Sequence, residues 1–391
     1  MLGEVEEGRG MDARGLVRWV FCLGALLWAP GLVEGAGPPE SLVPSSGETS
    51  PETVRYARKT LTSNGMEREY FVFTPSRLKA GEPLPLVVGL HGYTGTATGF
   101  EEETSGGMNR HAEREGYIVV YPQGGYFLDE RTDPATFVSS WNDLETNRPA
   151  KPGERPICEN PDHGYACPKE CGGCADCGWT SCLDDVGFIA EVIERVSQDY
   201  PVDPTRRYVV GLSNGGSMAH RFLCLRPDLV AAGISVSGAI PRDRSCVPES
   251  PVSYMQVYGD ADSVTPTDGE ATWDGFFYET PSRSMDRWAE ALGCAEAPAA
   301  ARLSVAEGHG LVCTARRGCQ GPPGTEVLNC RVPGGGHAWP GHSSDAGYCR
   351  SAIQSESIPN YPDCVDQRGR ASEWGIPALW EFLARHRSVK S

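Results

Sequence analysis

The segment YVVGLSNGGSMAHRF, residues 208–222, joins a short apolar run to a helix-compatible run through a serine set among glycines. Tyr208-Val209-Val210-Gly211 suits a buried strand, and the residues after Gly216 (SMAHRFLCLRP) suit a helix. Between them, Gly211-Leu212-Ser213-Asn214-Gly215 matches the pattern G-x-S-x-G. Five residues alone carry little weight in a chain with 47 glycines. The strand before and the helix after carry more, because a serine on that turn holds its hydroxyl at the carboxyl edge of a sheet. The flanking glycines accept the strained backbone and the close packing. The competing reading is an ordinary turn serine.

Further runs extend the pattern. REYFVFTP (68–75), PLPLVVGLHG (83–92), GYIVVYPQG (116–124), AAGISVSG (231–238), VSYMQVYG (252–259) and EVLNCRV (326–332) read as short strands. Continuous apolar runs bounded by proline and glycine suit strands covered on both faces. Helices are expected over 108–116, ended by Gly116, and over 183–204, where Ile189, Val192, Ile193 and Val196 fall at i, i+3, i+4, i+7 before Pro201. Two more are expected over 284–294 and 373–386. Strands alternating with helices predict an α/β class with a mostly parallel central sheet and helices on both faces. One domain is expected over 54–388, with a cysteine-rich insertion at about 150–182.

The 391 residues carry a net charge of −17, which excludes nucleic acid and anionic membrane surfaces as partners, since both require a basic footprint. Arg14 and Arg18 precede the apolar run Trp19 to Trp28, and Val33 and Gly35 are small residues spaced for cleavage before Ala36. Residues 1–35 therefore read as a signal peptide and 36–53 as a disordered linker. The competing reading, an uncleaved anchor, suffers from the shortness of the run and from Pro30. Met11 gives a tidier start than Met1. The expected location is secreted, extracellular or periplasmic, with no membrane contact after cleavage. Export makes disulfides the default for the 14 cysteines left after Cys22 departs. Six crowd between Cys158 and Cys182, where CPKECGGCADC also has the spacing of a zinc or iron–sulfur site; a disulfide knot is the reading that export favours.

A serine nucleophile needs a base and an acid that orients it, in the chain order serine, acid, histidine. The strand ending at Gly259 leads into Asp260-Ala261-Asp262, and the last strand leads into PGGGHAWPGH (333–342). Spacing leaves Asp260 and Asp262 open. His337 is preferred over His342 because Gly334-Gly335-Gly336 let its loop bend back; His309 precedes the last strand, and His386 reads as a surface residue of the closing helix. The oxyanion donors expected are the amides of Asn214 and Tyr93, the latter from the loop HGYTGTA (91–97), with His91 in a structural role. Trp141, in SSWND, and Trp339 are candidate substrate contacts; the competing reading for Trp339 is packing beneath its loop.

Taken together, PLVVGLHG, DDVGFI, YVVGLSNGGSMAHRF, VYGDADSVTP and GGGHAWPG resemble, in the same order, the secreted polyhydroxybutyrate depolymerase-like esterases, which group with the feruloyl esterases. The resemblance covers about 68–342 apart from the insertion. It implies an α/β-hydrolase fold and a serine esterase that works through an acyl-enzyme, with Ser213, Asp262 and His337 as the catalytic set and no cofactor or metal. The family's Gly-Thr-x-Asp-x-x-Val-Pro segment selects Asp262, with Asp260 standing where threonine is common. The resemblance also implies a disulfide between Cys224 and Cys246, and one from Cys294 to Cys313 or Cys319. The substrates it implies are feruloylated saccharides or hydroxyalkanoate oligomers and polymers. Other readings are a peptidase or acyltransferase on the same fold, or a catalytically inactive secreted binding protein.

Overall fold

A computed structural model of the chain describes residues 56–76, 82–104, 107–131, 135–159, 165–175, 177–341 and 374–389. The expected signal peptide, linker and start codon, together with His342, lie outside the described residues.

The chain opens with the antiparallel strands β1 (Tyr56–Ser63) and β2 (Met66–Phe73), then β3 (Leu84–Leu90). Helices α1 (Gly99–Glu103) and α2 (Met108–Glu115) lead to β4 (Ile118–Pro122) and the hairpin of β5 (Gly125–Asp129) and β6 (Thr136–Ser140). The cysteine-rich insertion follows, then α3 (Asp185–Asp199), β7 (Val202–Leu212), α4 (Asn214–Leu225), β8 (Ala232–Val236) and β9 (Ser253–Gly259). The chain continues with α5 (Pro281–Ala291), β10 (Ala299–Ala301), β11 (Val312–Arg316), β12 (Val327–Val332) and α6 (Gly375–Ala384). Ten strands form one sheet in the order β1-β2-β4-β3-β7-β8-β9-β12-β11-β10. Its six central strands, β4 to β12, are parallel, and antiparallel strands flank them at each edge. This is the α/β-hydrolase architecture.

The apolar runs are continuous because successive side chains enter different cores. Leu86, Val88 and Leu90 of β3 face one core with Phe188, Ile193, Met218 and Trp288 of α3, α4 and α5. Val87 faces the other, with Phe100, Met108, Ile376 and Phe382 of α1, α2 and α6. β4 alternates likewise, Ile118 and Val120 against Val119 and Tyr121. Helix α3 begins where the Asp184 side chain accepts from the Gly187 amide, and α2 ends on Gly116 in the left-handed conformation. The edge strands β1 and β11 and the β5–β6 hairpin were not expected, since their sequences mix polar and apolar residues, and neither was β10, which is only three alanines long. His386 is a correction. It is 5% exposed, with its ring nitrogen Nδ1 3.2 Å from Ser253 Oγ, because the end of α6 packs down onto the sheet instead of facing solvent.

Six disulfides are present among the described residues. Cys158–Cys177, Cys167–Cys174 and Cys171–Cys182 use all six cysteines of the insertion. Cys224–Cys246 pairs as the resemblance implies, and Cys294 pairs with Cys319; Cys313 instead joins Cys330 across β11 and β12. Cys224 is fully buried at the end of α4, and its bridge closes a loop of 22 residues. Its replacement, as Cys224→Ala with Cys246→Ala, is expected to lower unfolding stability by about 3 kcal/mol, as measured by denaturant melts.

Four histidines, His91, His111, His220 and His386, are buried, and burial lowers each to about 4. The unfolded chain binds protons at these rings near 6.5 while the folded one does not, so stability rises with pH across that window. It is complete above about 6.5 and is lost as pH falls toward 4. For the fully enclosed His91 and His220 the loss approaches about 3 kcal/mol each. Melting temperature is therefore expected to fall steeply between pH 6.5 and 4, more than in His220→Gln.

Candidate active site

Ser213 occupies the turn between β7 and α4 with φ 57° and ψ −123°, a left-handed conformation that is strained for a residue with a Cβ. Its amide donates to Val236 O at 2.8 Å, and its carbonyl accepts from the Ser217 amide at 2.9 Å, so both sides of the turn are anchored. The glycines either side are needed for closeness. A Cβ on Gly211 would stand 2.0 Å from Gly215 O, and one on Gly215 2.2 Å from Leu90 O. The loop after β3 passes directly beside the serine: a Cβ on Gly92 would meet Ser213 Cβ at 3.4 Å.

His91 braces that loop from within. Its Nδ1 lies 2.8 Å from Gly92 O, and its Nε2 accepts from the Gly124 amide at 3.0 Å. This pattern suits a neutral ring carrying its proton on Nδ1, in agreement with the effect of burial. Tyr93 follows on the same loop. Asn214 is the first residue of α4, so its amide is among the unpaired donors at the helix start. Its side chain is fully engaged: Oδ1 accepts from the Trp141 amide at 2.7 Å, and Nδ2 donates to Trp141 O and to Asp143 Oδ2 at 3.1 and 3.0 Å.

Two loops at the carboxyl ends of β9 and β12 bring the acid and the histidine together. His337 Nδ1 lies 2.8 Å from Asp262 Oδ2. The other oxygen of Asp262 accepts from the amides of Val264 and Thr265 at 2.9 and 2.8 Å. Thr265 Oγ1 donates to Asp262 Oδ2 at 2.8 Å and sits 3.3 Å from His337 Nδ1. Burial alone would push the Asp262 carboxyl up; the His337 contact and the Thr265 donors together outweigh it and hold it below its ordinary range. Asp260 is engaged elsewhere, accepting from the Gly334 amide at 2.6 Å and pairing with Arg331. The two loops cross so closely that a Cβ on Gly259 would lie 2.1 Å from Gly335 O.

A cavity of about 100 Å³ opens at Ser213. Asn214 and Thr265 line it, with an aromatic set of Tyr93, Tyr165, Trp179 and Tyr278 and two carboxylates, Asp143 and Asp274. Asp143 is fully enclosed and pushed up to about 6 by burial, against the pull of Thr146, the Leu144 amide and Asn214. Trp141 and Trp339, expected as substrate contacts, do not line this cavity. Trp141 is 0% exposed, its Nε1 donating to His91 O at 2.9 Å, and Trp339 is 2% exposed against Phe100 in the core. Both rings are large apolar surfaces close to turns, and core packing took them. Tyr93 was named for its amide alone, and Tyr165, Trp179 and Tyr278 were missed because the loops that carry them have no periodic pattern. The one available signal was their position beside the chosen segments, with Asp143 two residues after Trp141.

Among the described residues no helix is long and apolar enough to cross a membrane. No family model matches the chain. A protein named "Putative esterase NocK", from Nocardia uniformis subsp. tsuyamanensis, is 30% identical over 68% of this chain and 67% of its own length. Feruloyl esterase B of Piromyces equi is 27% identical over 40% of this chain, and Feruloyl esterase C of Emericella nidulans 32% identical over 24%. The matches span 29% and 35% of those two relatives' lengths. Among solved structures, an acetyl xylan esterase from Aspergillus awamori aligns with a TM-score of 0.48 at 16% identity, over 73% of this chain and 96% of that one.

Proposed function

This chain belongs to the family of carboxylic-ester hydrolases that includes the feruloyl esterases, and from that premise we propose that Ser213, His337 and Asp262 run its chemistry through an acyl-enzyme. The observation that carries the reading is the strained Ser213 turn on the same sheet edge as the 2.8 Å His337–Asp262 pair. In the first step His337 takes the Ser213 proton as Oγ attacks the ester carbonyl carbon. Asp262 holds the imidazole with Nδ1–H toward itself and stabilises the imidazolium. Negative charge gathers on the carbonyl oxygen, where the amides of Asn214 and Tyr93 receive it, helped by the positive end of α4. The tetrahedral centre collapses, and the alcohol leaves with the proton from His337. Water then repeats the sequence and frees the acid.

The substrate is an ester of a saccharide or of a hydroxyalkanoate. The signal-like N-terminus and the disulfides support a secreted enzyme working outside the reducing cytosol. A fluorophosphonate probe is the direct test. Stoichiometric labelling at Ser213, with loss of ester hydrolysis, is expected; a protein that stays unlabelled and cleaves no short ester is a binding protein instead.

A further inference from the structure

Two carboxylates, Asp143 and Asp274, line the cavity at Ser213, and no basic side chain lines it. Both are buried. Among the described residues neither carboxylate is paired with a cation, and the donors that hold them are neutral. Asp143 accepts from the Leu144 amide at 2.6 Å, from Thr146 Oγ1 at 2.8 Å and from Asn214 Nδ2 at 3.0 Å. Asp274 accepts from the Tyr165 hydroxyl at 2.6 Å and from Thr272 Oγ1. Arg221, whose charge acts on Asp143, donates through Nη1 to the main-chain carbonyls of Asn142 and Asp143. Arg131, whose charge reaches Tyr93, pairs with Asp129. The acidic charges bear on one point of the wall: burial first, then Asp274 and Asp143, with Tyr165 and Asp262 behind them, hold the Tyr278 hydroxyl protonated well above its ordinary range.

A free carboxylate on a bound ester would stand beside these groups as a further like charge. In a partly enclosed site such repulsion is worth far more than in bulk water. A neutral hydroxyl meets the opposite situation. A carboxylate accepts about four hydrogen bonds. Asp143 and Asp274 each fall short of that number, so both keep acceptor capacity for an uncharged donor.

We propose that Asp274, together with Asp143, makes this esterase selective by charge, so that it takes neutral esters and rejects those with a free carboxylate close to the scissile bond. The proposal rests on Ser213 as nucleophile, since the cavity is the one that opens there. It divides the substrates that the esterase reading leaves together. A saccharide ester and an interior bond of a hydroxyalkanoate polymer are neutral, and both are accepted. A free hydroxyalkanoate dimer carries a carboxylate close to its one ester bond, and it is refused.

The test measures kcat/KM on two pairs of activated esters at about pH 7.5, where Asp143 carries its charge. The pair 4-acetoxybenzamide and 4-acetoxybenzoate puts the charge on the alcohol side. The 4-nitrophenyl monoesters of adipic acid monoamide and of adipic acid put it on the acyl side. Each rate is divided by that of the same ester with hydroxide, which removes intrinsic reactivity. In at least one pair the neutral member is expected to lead by about tenfold or more, and that pair identifies the side of the ester seated in the cavity. Asp274→Asn is expected to narrow the lead at least about threefold, and Asp274→Glu, which keeps the charge, to retain it. Fluorophosphonate labelling of Ser213 reports whether each variant is folded; where Asp274→Asn does not label, the wild-type ratios decide. Equal turnover of charged and neutral members in both pairs overturns the proposal alone. So does an unchanged lead in labelled Asp274→Asn. A wild type that cleaves none of these esters overturns the esterase reading and the proposal together.

Discussion

Ser213→Ala is expected to reduce kcat/KM by about 10⁵ to 10⁶-fold on every ester the wild type cleaves, and to abolish fluorophosphonate labelling. The size of the effect follows from the unit. Without Oγ there is nothing for His337 to activate, and the residual rate comes only from the oxyanion donors and from positioning. The fold has no reason to fail, because the turn is held by main-chain bonds from the Ser213 amide to Val236 O and from the Ser217 amide to Ser213 O, not by the hydroxyl. A second variant separates function from strain. Ser213→Gly loses the same activity but relieves a φ of 57°, and should melt higher than Ser213→Ala by roughly 1 kcal/mol of stability. Retention of more than about 1% of wild-type activity in purified Ser213→Ala would remove the serine from the mechanism.

That serine was legible because its surroundings are constrained twice over. The strand before it is apolar through Tyr208 to Leu212, and the glycines at 211 and 215 leave no room for a Cβ on either side. The parallel strands were legible for a related reason: a strand between two helical layers is apolar at every position, as Ile118 to Tyr121 are. Edge strands lack that signature, and β1, with the sequence YARKTLTS, shows why. The disulfide pattern was partly legible, since oxidation is a matter of compartment while pairing is a matter of where distant strands meet; only the β11–β12 register puts Cys313 opposite Cys330. The cavity wall was not legible. Trp179 and Tyr165 reach it through cross-links and loop contacts that join residues 93, 165, 179 and 274, and no local spacing encodes such a meeting. The two tryptophans chosen from the sequence, Trp141 and Trp339, stand near the right turns but face inward, because a ring of that area gains more from the core than from a cleft.

The paired carboxylates after β9 give the other large expected effect, and they should part company. Asp262→Asn is expected to lower kcat by about 10⁴-fold, while Asp260→Asn should stay within about tenfold of the wild type. Asp262 is the one in contact with His337 Nδ1, and its second oxygen is saturated by the Val264 and Thr265 amides, so the carboxylate is fixed in position. An amide there turns an N–H toward the ring and favours the tautomer that cannot take the Ser213 proton through Nε2. The Asp262 carboxyl is held below its ordinary range, so it remains ionised from neutral pH well into the acid range and its partner role does not lapse there. Asp260 acts on the loop instead. Its Oδ1 accepts from the Gly334 amide, three residues before His337, an acceptor that asparagine keeps, and only the Arg331 ion pair is weakened. That pair is partly exposed, where such contacts contribute about 1 kcal/mol or less. Steady-state kinetics of the two variants on one short ester decide the matter. Equal losses would mean that the two loops act as a single unit, and a larger loss in Asp260→Asn would reassign the orienting acid to Asp260.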